Sequence, residues 1–232
     1  MKKSGLAAFT FCVLSCAMLL LSNPLTASAT LINNHAYAQQ NVTKTNITGG
    51  AFYNNSGQSD LYSGYNSITS EGLNRFITDE MWIAFQNGTW VEMGDMDGAR
   101  YPQGTGYWAG HFYAYSNQNG YNEFTTGSNY ASSGNAFKIL HTSNNTWSYY
   151  LNDTFIASVN TQYDSGVYMN AGIESNDTTA TFNTGIYDSA LQYQTATTGW
   201  NYWATPANWD NNSLGWVSLF NGTNSTLTFS HS

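Results

Sequence analysis

From Gly49 onward the chain sustains no helical period. Short apolar runs alternate with turns rich in Asn, Gly and Ser about every 8 to 12 residues, the spacing of strands in a sandwich or barrel. The sharpest stretch is 81–98, MWIAFQNGTWVEMGDMDG, where two apolar runs, 82–86 and 89–93, flank Asn87-Gly88. Asn-Gly suits a two-residue type I′ turn because both positions need positive φ. Closed that way, the hairpin sets Phe85 opposite Trp90 and Ile83 opposite Glu92. Glu92 then stands in mid-strand among aromatic and aliphatic neighbours, where a carboxylate is out of place as a solubilising charge.

The other runs fill in a sheet protein. Segment 107–115 puts Tyr107, Ala109, His111, Tyr113 and Tyr115 on one face and Trp108, Gly110, Phe112 and Ala114 on the other. Segments 136–141 and 147–151 read as a hairpin, and 154–159 as the next strand. In 167–174 an apolar face of Val167, Met169, Ala171 and Ile173 opposes Tyr168, Asn170, Gly172 and Glu174. Segments 180–186 and 190–194 complete the set. Residues 30–48 are polar and aperiodic, a linker before a domain at 49–195. The tail, 196–232, holds Trp200, Trp203, Trp209 and Trp216 and is expected to pack over the end of the sandwich.

Of 232 residues, 16% are aromatic and 9% charged, against roughly 25% charged in an ordinary soluble domain. An aromatic interior under an uncharged polar exterior fits a secreted β protein. Lys2 and Lys3, the apolar run 6–21 and Ala27-Ser28-Ala29 read as a signal peptide over 1–29, with Ala36-Tyr37-Ala38 as a later cleavage candidate. After its removal no membrane contact is expected. Cys12 and Cys16 lie inside this leader, so the mature domain has no disulfide and no thiolate site. Lys44, Arg75, Arg100 and Lys138 then face fourteen acidic residues, a balance that excludes nucleic acid as a partner. N-x-S/T sequons, as at Asn41, Asn87 and Asn152, permit glycosylation.

Glu92 and Glu174 each sit on the side of a strand opposite an apolar face. If the two strands share a sheet, both carboxyls point into one groove. At these positions the chain resembles the glutamic peptidases (eqolisins). Thr48-Gly49-Gly50-Ala51 looks like the family's Trp-Gly-Gly-Ala, and 82–88, WIAFQNG, like its Trp-x-Val-Gly-Ile-Asp-Gly strand. Trp90-Val91-Glu92-Met93-Gly94 falls on the strand of the catalytic Gln. The segment 170–175, NAGIES, looks like the Asn-Ala-Glu-Trp segment of the catalytic Glu, one residue longer. The resemblance implies an all-β, two-sheet antiparallel jelly-roll-like β-sandwich (concanavalin-like). It further implies a secreted acid endopeptidase with Glu174 as general base and Glu92 in the Gln position. Along the groove it places Trp82, Trp90, Tyr107, His111, Tyr168 and Asn170 as substrate-binding residues. No cofactor or metal is implied, and a monomer acting on polypeptide is expected.

Two departures matter. An ionised Glu92 cannot donate a hydrogen bond to an oxyanion, whereas a protonated one can; two close carboxyls would share a proton and work in acid. A strict two-residue turn, moreover, puts Trp82 on the face opposite Glu92, so either the turn holds an extra residue or Trp82 is not in the groove. Among rival chemistries, a glycoside hydrolase of the E-x-D-x-x-E kind fails on parity, because Glu92 and Asp95 fall on opposite faces. Asp95-Met96-Asp97-Gly98 lacks the further ligands of a calcium loop and reads as a turn. The strongest non-enzymatic rival is a lectin-like or peptide-binding sandwich that uses the aromatic groove and the Trp-rich tail.

Overall fold

The computed structural model describes residues 34–42, 46–55, 76–99, 107–126, 134–177, 180, 182, 185–211 and 213–231, with 99 and 107–109 by backbone alone. The leader, Lys44, Arg75 and Arg100 lie outside the described residues, as do 181, 183 and 184 of the expected strand 180–186. The described residues form fifteen strands and no helix. In chain order they are β1 (Asn34–Asn41), β2 (Ile47–Asn54), β3 (Phe76–Ala84), β4 (Trp90–Ala99), β5 (Tyr107–Asn117), β6 (Gly120–Thr126), β7 (Asn135–Ser143) and β8 (Thr146–Leu151). They continue as β9 (Thr154–Asn160), β10 (Tyr168–Ser175), β11 (Tyr187–Thr195), β12 (Trp200–Tyr202), β13 (Ala207–Asn211), β14 (Val217–Asn221) and β15 (Thr226–Ser230).

Two antiparallel sheets stack face to face. One has the order β13-β1-β10-β3-β4-β5-β6 and the other β14-β15-β11-β2-β7-β8-β9, with β12 on β11. The period-2 pattern read at 167–174 is the pattern of β10: Met169, Ala171 and Ile173 are fully buried toward the second sheet. Ile77, Met81, Ile83, Val91 and Met93 join them and meet Phe52, Phe137, Ile139, Trp147 and Leu191 from the facing strands. Each of the Val, Leu, Ile, Met and Phe side chains among them contributes ~1.5–3 kcal/mol by leaving water.

The hairpin between β3 and β4 corrects the expected register. Phe85 N donates to Thr89 O at 2.7 Å and Gly88 N to Phe85 O at 3.0 Å, and Gly88 alone of the turn residues has positive φ, at 83°. This is a three-residue loop of the kind in which a type I turn is followed by a left-handed Gly. Asn87 Oδ1 reinforces it by accepting from Thr89 N and Oγ1 at 3.0 and 2.6 Å. The extra residue slips the pairing by one, so Trp82, not Ile83, faces Glu92, and Ala84, not Phe85, faces Trp90.

Three other stretches differ from expectation. Residues 34–41, read as linker, form β1 inside the first sheet, pairing β10 on one side and β13 on the other. Their small and polar side chains hid a strand because half of them face the site rather than an apolar core. Cleavage after Ala38 would remove most of it. Residues 95–98, read as a turn, continue β4. The tail is woven into both sheets, with β13 on β1 and the β14–β15 hairpin on β11. Trp203 and Trp216 are buried there, while Trp200 and Trp209 stay well exposed.

Candidate active site

The outer face of the seven-stranded sheet is organised in cross-strand rows. One row reads Gln39, Asn170, Trp82, Glu92, Ala114, Glu123. The next reads Tyr37, Gly172, Glu80, Gly94, Phe112, and the third His35, Glu174, Thr78, Met96, Gly110. Glu80 is therefore central, with Glu92, Asn170 and Glu174 as three of its diagonal neighbours, positions ordinarily ~7–8 Å apart. Glycines flank it on both sides. A Cβ at Gly94 would lie 2.1 Å from Asp79 O and 2.6 Å from Glu80 Cα, and one at Gly172 would lie 2.6 Å from Tyr37 Cδ1. The two missing side chains let Glu80 and Tyr37 lie down across the sheet.

Glu92 and Glu174 thus share a face without adjoining. Two strand spacings, across β3, and four residues along the strand separate them, about 17 Å between backbones at ordinary strand geometry. Glu80 and Tyr37 bridge the gap. Tyr37 Oη lies 2.5 Å from Glu80 Oε1 and is also hydrogen-bonded to Glu174 Oε2. Glu80 in turn has Glu92 and Thr78 as close neighbours that act on its carboxyl, and Trp90 Nε1 donates to Glu92 Oε2 at 2.7 Å. Further along, Tyr121 Oη donates to Glu123 Oε2 at 3.1 Å. Glu80, Glu92, Glu123 and Tyr37 are all buried, and Glu174 is half-buried.

The proton count follows from this geometry. A phenol has one proton, so Tyr37 cannot donate to two carboxylates; one of its partners must carry a proton and donate to the phenolic oxygen. Among the described residues Lys138 is the only Lys or Arg, and it pairs with Asp153 at 2.6 Å on the other sheet. With no Lys or Arg among the described residues facing the groove, and His35 beside Glu174 as the one basic side chain described there, protons on the carboxyls themselves are what relieve their mutual repulsion. Burial, then the charge on Glu174, pushes Glu92 up to about 8, although the Trp90 N–H opposes the rise. Burial, then Glu92 and Glu174, raises Glu80 well above the carboxylate range. Burial, then Glu174 and Glu80, raises Tyr37.

The other expected groove residues divide. Trp82, Trp90, Tyr168 and Asn170 are on this face, and the rings of Trp82 and Trp90 lie 6.1 Å apart. His111 is not: it points between the sheets, where its Nδ1 meets Asp95 Oδ1. Tyr107 shares the register face of His111, and its side chain lies outside the described residues. His111 belongs to a second buried cluster. There Asn54 Nδ2 donates to Asp79 Oδ2 and Asp95 Oδ2, both at 3.0 Å, with Asp188 beside Asp79. Among the described residues no group of three or more His, Cys, Asp or Glu is arranged to hold a metal ion.

Sequence reasoning missed Glu80 and Tyr37. The signal for Glu80 was available: Ile77, Asp79, Met81 and Ile83 alternate with Thr78, Glu80 and Trp82, but the apolar run begins at 82 and leaves the acidic pair at 79–80 outside it. Tyr37 lay in the supposed linker.

The architecture is the two-sheet jelly-roll sandwich of the glutamic peptidases. Two crystal structures of scytalido-glutamic peptidase, one with a peptide-based transition state analogue and one with a transition state analogue inhibitor, superpose with TM-scores of 0.52 and 0.53. Each has 10% identity, covering 86% of this chain and 98% of that one. Sheep galectin-11 in complex with glycerol superposes at 0.33, with 11% identity over 65% of this chain and 95% of that one. No protein-family model and no curated protein sequence matches the chain. At such identity the likeness establishes the fold, and the chemistry must be argued from the groove itself.

Proposed function

We propose that the chain is a secreted, acid-active endopeptidase of the glutamic type whose working carboxyls are Glu80 and Glu92, with Glu174 tied in through Tyr37. The observation that carries this reading is the phenol held between two carboxyls, with a third in contact. The unit Glu80–Tyr37–Glu174 closes its hydrogen bonds with one carboxylate and one carboxylic acid. A two-proton shift through Tyr37 moves the charge from Glu174 to Glu80.

With the charge on Glu80, that carboxylate takes a proton from a water attacking the scissile carbonyl. Glu92, kept neutral by its raised pKa, donates to the carbonyl oxygen, the role that the resemblance assigns to an amide. Glu80 then returns its proton to the departing nitrogen as the C–N bond breaks. Trp82, Trp90, Tyr168 and Trp209 supply aromatic walls for substrate side chains. The test is hydrolysis of acid-unfolded serum albumin from pH 2 to 8 by wild type, Glu80→Gln and Glu174→Gln. Both variants should be impaired, Glu80→Gln the more severely. Wild-type rates in Glu80→Gln would remove this assignment.

The aromatic row also favours a second reading, a non-catalytic sandwich that holds peptide or glycan. Trp209 is 42% exposed beside Trp82, their rings 6.2 Å apart, an arrangement on which a sugar ring could stack. Glycan binding without cleavage at any pH would select it.

A further inference from the structure

Asn170 is fully buried, and neither its Nδ2 nor its Oδ1 has a hydrogen-bond partner. A carboxamide brings two N–H donors and an acceptor oxygen, and leaving all of them unmet in an interior is costly and uncommon. Its position supplies the reason. Asn170 pairs with Trp82 on β3, as Glu92 does from the other side, so the two are mirror neighbours across the strand that carries Glu80. The central carboxyl is thus flanked by a neutral acid on one diagonal and an unused amide on the other.

We propose that Asn170 is a catalytic residue of this site, its Nδ2 donating a hydrogen bond to the scissile carbonyl oxygen and holding it as negative charge develops. The inference rests on the hydrolase reading. Water oxygen bonds to the carbonyl carbon, the water proton passes to Glu80, and the C=O π pair moves onto oxygen, which meets Nδ2–H of Asn170 and O–H of Glu92. When the tetrahedral centre collapses, the pair returns, the C–N bond breaks and the proton on Glu80 goes to nitrogen. No further reactant is required. The chain lacks an amide at position 92, and Asn170 restores one to the same groove from the neighbouring strand. Trp82 stands between them, edge-on to Tyr168 at 5.7 Å and to Tyr37 at 6.4 Å. Its half-buried indole is the group that an entering carbonyl displaces.

The experiment compares wild type, Asn170→Leu and Asn170→Asp in cleavage of acid-unfolded serum albumin, with thermal unfolding of each. Asn170→Leu should lose about 10²–10³ in kcat, with KM changed less than about threefold. Its Tm should equal or exceed that of wild type, since the substitution removes a buried amide with unmet hydrogen bonds. Asn170→Asp should regain activity at low pH alone, where the new carboxyl is neutral and can donate. Wild-type kcat in Asn170→Leu overturns the inference and leaves the Glu80–Glu92 assignment standing. Loss of kcat with a matching fall in Tm, and an Asp variant inactive at every pH, also overturns it by making Asn170 a structural residue. A wild-type protein that cleaves at no pH removes the hydrolase reading and this inference together.

Discussion

Asp79 and Glu80 are consecutive residues on β3 that point to opposite faces, so one peptide unit separates two buried carboxyl clusters. Glu80 belongs to the groove with Glu92, Glu123 and Glu174. Asp79 belongs to the interior with Asp95, Asp97 and Asp188, where strands of both sheets meet. Burial is the first cause of the raised pKa in each: Asp79 and Asp188 lie well above the carboxylate range, as Glu80 does. What differs is access. Asp79, Asp95 and Asp188 are 0% exposed, sealed by the sheets on both sides. Glu174 reaches solvent and is linked to Glu80 through one hydroxyl. The same chemistry therefore does two jobs. Protons in the interior bind the sheets together, and protons in the groove can be handed to a substrate.

The sharpest test exchanges one member of each cluster for its amide. Glu80→Gln should lower kcat by on the order of 10³, within the range for a lost general base, with Tm unchanged or raised. Asp79→Asn should instead leave kcat within about twofold while raising Tm near pH 7, because an amide needs no proton to stay neutral. Equal effects of both variants on kcat would dissolve the distinction between the faces.

Both clusters predict the same slope of stability with pH. A carboxyl whose folded pKa lies above its unfolded value binds more protons in the native state. Its contribution is whole below the unfolded value and is lost as pH climbs through the folded one. For Glu92, which goes from 4.5 to about 8, the loss by pH 7 is on the order of 3 kcal/mol. Tm should thus be highest below pH 4.5 and decline toward pH 8. Asp79→Asn and Glu80→Gln should each flatten the decline, which thermal melts across that range would read. A Tm that peaks at neutral pH would mean that cations outside the described residues neutralise the acids.

The sequence made the two-layer sandwich legible because turn spacing and period-2 alternation are local signals. Segments 136–141, 147–151 and 154–159 are strands, and the two faces of 167–174 sort as read. The placement of Glu92 and Glu174 on one face of one sheet was also within reach. The register of the β3–β4 hairpin was not, since Asn-Gly serves a type I′ turn and a type I turn with a trailing left-handed Gly equally well. The bridge between the two carboxyls was hidden for a different reason. Tyr37 and Glu80 meet only when β1, β10 and β3 lie side by side, and that order joins segments more than forty residues apart. His111 fell on the wrong face because both faces of β5 carry aromatics, leaving parity without a core side to anchor it.

Tyr37→Phe separates the clusters more gently. It removes one hydroxyl from the groove and touches no interior acid, so kcat should drop about 10- to 100-fold, at the lower end for proton-transfer groups. The pH profile should narrow, since Glu80 and Glu174 could no longer exchange charge through a shared proton. An unaltered profile would show that Glu80 works without Glu174.

Trp209 gives the smallest expected effect and tests whether the tail belongs to the groove. It reaches the site from β13, its ring 4.9 Å from that of His35 and 6.0 Å from that of Tyr37. All five residues of β13 are exposed, so truncating this indole should leave Tm nearly unchanged. It stands on the other side of Tyr37 and Trp82 from Glu80 and Glu92 and is placed to hold an apolar or aromatic substrate side chain, an interaction present equally in ground and transition states. Such uniform binding alters KM and leaves kcat alone. Trp209→Ala should therefore raise KM about three- to tenfold for substrates with large apolar residues, with kcat and the pH profile retained. A fall in kcat instead would mean that the indole orders Tyr37, making β13 part of the proton path rather than a wall beside it.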